Sequence, residues 1–170
     1  MKIISVILSL IFFLSCNNQQ PNQSKKSIFV SIVPQKYFVE RIAGEKFKVN
    51  VMVMPGHNPA TFEPTPKQMV ELKNAHLYFK IGVPFEKAWI KKIAESNPEM
   101  KIVDTRQGIE LREMDSFNAL LKRMEQKNYN KMELDKKHYI IKDPHIWLSP
   151  ELVKTQAETI CDALVEFDEN

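Results

Sequence analysis

Two histidines stand in the segments of this 170-residue chain least able to form helix or strand. His57 lies in PGHNPATFEPTP (55–66), among Pro55, Pro59, Pro64 and Pro66, and His145 lies in DPHIWLSP (143–150), between Pro144 and Pro150. A neutral imidazole is a ready ligand for zinc and similar divalent ions, and proline-stiffened loops suit the edge of a binding site. The plainer reading of each is a polar residue on a surface loop. His145 has the more constrained setting, because Asp143, Pro144 and Trp147 crowd it in sequence. His76, in a helix-to-strand turn, and His138, at the end of a charged stretch, read as ordinary surface residues. No H-E-x-x-H, paired C-x-x-C, nucleophile with an adjacent base or Gly-rich phosphate loop accompanies them.

The elements around the histidines alternate. IFVSIV (28–33) is a short β-branched run halted by Pro34, which can open a helix at its first turn. In PQKYFVERIAG, Tyr37, Phe38 and Ile42 keep helical spacing, and Gly44 stands at the expected C-cap. FKVNVMVM (47–54) returns to strand. Thr65 and Pro66 form an N-cap and first-turn proline for a helix through Lys73, followed by the strand LYFKIG (77–82). Pro84 opens PFEKAWIKKIAES, with Phe85, Trp89, Ile90 and Ile93 on one face, and KIVDT (101–105) is a fourth strand.

This alternation predicts an α/β fold: one lobe with a four-stranded, mainly parallel sheet and helices on both faces. Between 107 and 142 strand signals vanish, and Phe117, Leu120, Leu121 and Met124 make one helical stripe, so a helix-containing insertion is expected there. HYIIK (138–142) is either a short strand or the return path. Ser149 and Pro150 start a last helix whose buried face is expected to hold Leu152, Val153, Ala157, Ile160, Cys161 and Leu164. Ligands of open parallel sheets sit outside the carboxyl ends of the strands, where helix N-termini converge. His57 and His145 both occupy that kind of position.

Hydrophobic residues make up 44% of the chain, enough for one domain with a real core. The 24 basic and 21 acidic residues leave +3, spread along the chain, which argues against nucleic acid as a partner. Lys2 precedes an apolar run (3–14) broken only by Ser5 and Ser9, and Ser15 and Cys16 follow. The run is shorter than the ~20 residues a spanning helix needs, so residues 1–15 read as an export signal. Ser15–Cys16 resembles a bacterial lipobox, with Cys16 lipidated. Phe13 departs from its usual leucine, and an ordinary signal peptide is the alternative. Lipid on Cys16 would leave Cys161 without a disulfide partner, so Cys161 reads as a small buried hydrophobe. Residues 16–27 are polar and aperiodic, a flexible tether. The lobe proper is expected over 28–170.

The lipobox, the run from SIVPQKYF through LYFKIG, FEKAW and DPHIWLSPE together resemble the zinc/manganese-type solute-binding lipoproteins of bacterial ABC importers. The resemblance covers 28–170 in order. It implies two α/β lobes joined by a long helix, with one zinc or manganese ion in the cleft and two ligands from each lobe. His145 matches the family's D-P-H ligand. The family's P-G-x-x-P-H-x-[YF]-E-P loop appears here as PGHNPATFEP, which puts Ala60 where the second histidine belongs. His57, three residues earlier, is the candidate replacement, and Glu63 belongs to the neighbouring structural segment. The resemblance also implies that this chain is the N-terminal half of such a protein, with the C-terminal lobe absent, whether through a truncated gene, a partial sequence or a split polypeptide.

The function this resemblance implies is metal capture at the outer face of a bacterial membrane, on a lipid anchor in an extracytoplasmic or periplasmic location, and delivery to an ABC permease without catalysis. His-rich insertions often mark the zinc members, and here only His138 occurs, so zinc and manganese both stay open. The alternatives are a non-transport envelope lipoprotein used in adhesion or interaction, which Ala60 favours, and a truncated, non-functional binding protein. A zinc hydrolase would need a general base beside an open coordination position, and no such constellation is present.

Overall fold

The computed structural model describes residues 25–114 and 142–168. Strand β1 (Lys26–Ile32) lies at the centre, parallel to β2 (Phe47–Val53) on one side and to β3 (Leu77–Lys80) on the other. Strand β4 (Lys101–Asp104) extends the sheet beyond β3, giving the order β2-β1-β3-β4, parallel throughout.

Successive side chains of a strand point to opposite faces, and the two cores follow that rule. On one face Ile28, Val30, Val49, Leu77 and Phe79 pack against helix α1 (Val33–Ala43) through Val39, and against helix α4 (Pro150–Asp168) through Ile160, Ala163 and Leu164. On the other, Phe29, Met52 and Tyr78 pack against α2 (Pro66–Leu72) through Leu72 and α3 (Pro84–Ser96) through Phe85 and Ile93. The expected sandwich of helices about a parallel sheet is therefore present.

Local chemistry sets the element ends. Proline occupies the first turn of α1, α2 and α3, where its missing N–H removes no helical bond. Thr65 caps α2 by accepting the Gln68 N–H at 3.2 Å, while Gln68 Oε1 accepts the Thr65 N–H at 3.0 Å. The α2 C-terminus is held by Asn97, whose Nδ2 donates to the carbonyls of Leu72 (3.0 Å) and Ala75 (2.7 Å).

Three expectations need correction. The first strand begins at Lys26 and helix α1 begins at Val33, because Gln35 Oε1 accepts the N–H groups of Ser31 and Ile32 and draws the turn one residue earlier. Of the stripe predicted for α1, Phe38 packs partly buried against the core, but Tyr37 is 61% exposed and Ile42 is 37% exposed, so the stripe does not define the fully buried face. That face belongs to Gln35 and Val39. Cys161 is exposed: α4 buries Gln156, Ile160, Ala163 and Leu164, and Cys161 stands about 100° around the helix from Ile160.

The expected stripe at Phe117–Met124, His138 and the leader with Cys16 lie outside the described residues. At the base of the insertion Glu113 and Lys142 form an antiparallel bridge.

Candidate metal-binding site

The segments at the carboxyl ends of all four strands and the segment before α4 enclose one cleft of about 640 Å³. Each wall has a distinct local cause.

The β2–α2 loop is a chain of turns. His57 N–H donates to the Met54 carbonyl (3.1 Å), the Asn58 side chain accepts the Ala60 N–H (2.8 Å), and Thr61 N–H donates to the Asn58 carbonyl (3.1 Å). Pro59 offers its carbonyl to the Phe85 N–H (3.1 Å), an otherwise unpaired donor in the first turn of α3. Phe62 anchors the loop from below, edge-on to Phe85 with ring centroids 5.2 Å apart. His57 is exposed above it, its ring edge-on to Phe62 at 6.0 Å.

The β3–α3 turn is held by Glu86. Its buried carboxylate accepts the N–H groups of Ile81 (2.9 Å) and Gly82 (2.8 Å). Gly82 has φ +87°, a backbone conformation that L side chains rarely adopt, and the Arg106 guanidinium packs into the space a Cβ would take. Arg106 forks onto Asp104 through Nε (2.8 Å) and Nη2 (2.6 Å), and Lys80 reaches the same carboxylate at 3.0 Å. Burial alone would raise the Asp104 pKa, but the hydrogen bonds from Arg106 and Lys80 outweigh it and hold the group well below the usual carboxylate range.

The third wall carries His145. Asp143 N–H donates to the Arg112 carbonyl (2.8 Å), and Asp143 Oδ1 accepts the His145 backbone N–H (2.9 Å) while lying 2.5 Å from His145 Nδ1. The backbone contact is the leading cause of the lowered Asp143 pKa, with the ring contact adding to it. Buried Ile146 sets the following 3₁₀ turn (Ile146–Leu148), and the Trp147 ring lies 5.0 Å from the His145 ring.

His57, Ala60 and His145 all line this cleft. The expected juxtaposition on one edge of the sheet is thus present. His76 lies elsewhere: its Nδ1 accepts the Ser27 N–H (3.3 Å) beside the start of β1, and its ring packs on Phe167. Among the described residues, no three His, Cys, Asp or Glu side chains are placed to hold one ion. Sequence reasoning missed the basic groups of the lining, Lys87, Arg106 and Lys142, which no motif announces. It also missed the Asp143 contact, although the i, i+2 spacing of D-P-H is that of a side chain accepting a nearby backbone N–H.

Residues 28–170 match the family described as ZnuA, zinc-uptake complex component A periplasmic. The chain belongs to this family. A crystal structure of ZnuA superposes with a TM-score of 0.67 at 40% identity, covering 85% of this chain and 48% of that one. A Chlamydia trachomatis serovar D protein, whose name gives metal binding as a provisional role, is 33% identical over 153 residues, 90% of this chain and 47% of the relative. The zinc-binding lipoprotein AdcA of Streptococcus pneumoniae serotype 4 is 25% identical over 167 residues, 96% of this chain and 32% of AdcA. The manganese-binding lipoprotein MntA of Halalkalibacterium halodurans is 25% identical over 130 residues, 76% of this chain and 36% of MntA.

The chain therefore spans half or less of the length of these relatives. It corresponds to a single lobe of the ZnuA architecture. The adhesion reading gains nothing from this family membership.

Proposed function

We propose that the cleft captures a divalent transition metal ion, zinc or manganese, outside the cytoplasm, for delivery to an ABC permease. His145 is the principal ligand and His57 the second, standing in for the family histidine at Ala60. The observation that carries this reading is the Asp143–His145 pair at the mouth of a cleft that His57 shares. With Nδ1 turned to the carboxylate, the ring has Nε2 left to meet an ion, the arrangement in which an outer carboxylate orients a metal-ligating histidine. Two imidazoles leave a tetrahedral ion with open positions, filled by water or by groups from outside this lobe. The same reading assigns residues 1–15 to a signal peptide, Cys16 to a lipid anchor and 16–27 to the tether, supported by relatives named as lipoproteins.

Calorimetric titration of the purified chain with zinc and with manganese tests the site. Expected is weak binding that His145→Ala abolishes and His57→Ala weakens by about tenfold or more. Tight, stoichiometric binding indifferent to His145→Ala would place the site elsewhere.

A further inference from the structure

Met54 and His57 flank a Pro-Gly turn just beyond β2. His57 N–H donates to the Met54 carbonyl at 3.1 Å, and Gly56, after Pro55, has φ +87°, as the third position of a type II turn requires. The first and last Cα atoms of such a turn lie within about 7 Å of each other, so a thioether and an imidazole leave the backbone side by side. Both residues are exposed, Met54 at 51%, and both line the cleft. Met52 and Val53 are buried in the core, whereas Met54 joins neither core cluster of the described residues. The loop after the turn is fixed, since the Pro59 carbonyl accepts the Phe85 N–H and the Phe62 ring lies edge-on to both His57 and Phe85. His145 lines the same cleft, with Nδ1 turned to Asp143 and Nε2 left for an ion.

A thioether is a soft, neutral donor. It adds little to a hard ion such as manganese, which prefers carboxylate, carbonyl and water oxygens, and it selects the cuprous ion, which imidazole also suits. Cu(I) has a filled d shell and is satisfied by few donors, so an unbranched methionine with three rotatable bonds can close on it from beside a loop histidine. We infer that Met54 and His57 form a binding site for a soft monovalent metal ion, Cu(I), with His145 as the third donor from across the cleft. This site goes beyond zinc or manganese capture and does not depend on it, because the methionine gives the pair a preference that two imidazoles lack.

Anaerobic competition against a chromogenic cuprous chelator measures the affinity, with the purified full chain carrying Cys16→Ser and Cys161→Ser so that thiols do not compete. Expected is Cu(I) binding that Met54→Leu, His57→Ala and His145→Ala each weaken by about tenfold or more. Zinc affinity, titrated in parallel, is expected to be unchanged in Met54→Leu, which separates a ligand from a residue that only shapes the turn. Silver(I), a redox-inert stand-in, should shift the Met54 methyl resonance in a chain with isotope-labelled methionine methyls, and that shift should vanish in His57→Ala. Cu(I) affinity indifferent to any one of the three substitutions, or equal losses of zinc and Cu(I) in Met54→Leu, would overturn the inference and leave metal capture standing. The expected Cu(I) responses in a chain that binds neither zinc nor manganese would support the inference and overturn the reading of zinc or manganese capture.

Discussion

Oδ1 of Asp143 lies 2.5 Å from Nδ1 of His145 and accepts the backbone N–H of the same residue at 2.9 Å. One carboxylate oxygen thus fixes both the ring and the chain that carries it. If His145 binds metal, Asp143→Ala should weaken zinc affinity by about 10- to 100-fold with the ligand itself untouched, the usual cost of losing such an outer partner. Parallel titrations of Asp143→Ala and His145→Ala check this, and equal affinity in Asp143→Ala and the unmodified chain would contradict it.

Ala60 lines the cleft that holds His57 and His145, on a loop tied to α3 through Pro59. A histidine at 60 would restore the family pattern beside that tie. Ala60→His is expected to tighten zinc binding by about tenfold or more, and His57→Ala should then matter less in that background than in the unmodified chain. Unchanged affinity would mean that position 60 does not reach the ion.

Asp104 gathers Arg106 and Lys80 at the end of β4, and these contacts hold its pKa below the ordinary value against the opposing effect of burial. A depressed carboxylate contributes stability that is fully present above its unfolded pKa of about 3.9 and is lost as pH falls through the lower folded value. Asp104→Asn should therefore cost about 1–3 kcal/mol at neutral pH, with the gap to the unmodified chain closing below about pH 4. Urea unfolding across that range measures both the cost and its disappearance. A gap that persists unchanged into acid would show that charge is not its cause.

Ser31 Oγ and Tyr78 OH meet at 2.9 Å, both residues fully buried between β1 and β3. Burial is the main reason the Tyr78 pKa is pushed up, so the phenol stays neutral in the folded protein and needs no charged partner. Tyr78→Phe leaves the Ser31 hydroxyl unpaired at a cost of about 1–3 kcal/mol, and adding Ser31→Ala should recover part of that loss. Denaturant midpoints of the two single variants and the double variant complete the cycle. Strict additivity would rule out the hydrogen bond as the source.

Strand and helix order, the prolines that open α1, α2 and α3, the Thr65 cap and the position of both loop histidines follow from short-range chemistry and are legible in the chain itself. His145 and the departure at Ala60 are legible for the same reason, since each is a single letter in a recognisable loop. Helical periodicity states that an apolar face exists, but its azimuth depends on what packs there. Exposed Tyr37, Ile42 and Cys161 show the difference. Gln35 and Gln156 take buried places because both donate to Thr105 Oγ1 across the fold, a partner 70 residues from one and 51 from the other. Tertiary structure likewise decided that Lys87, Arg106 and Lys142 would line one cleft with His57 and His145. They come from separate segments with no common spacing, and only the parallel pairing of the strands brings their following loops to a single rim.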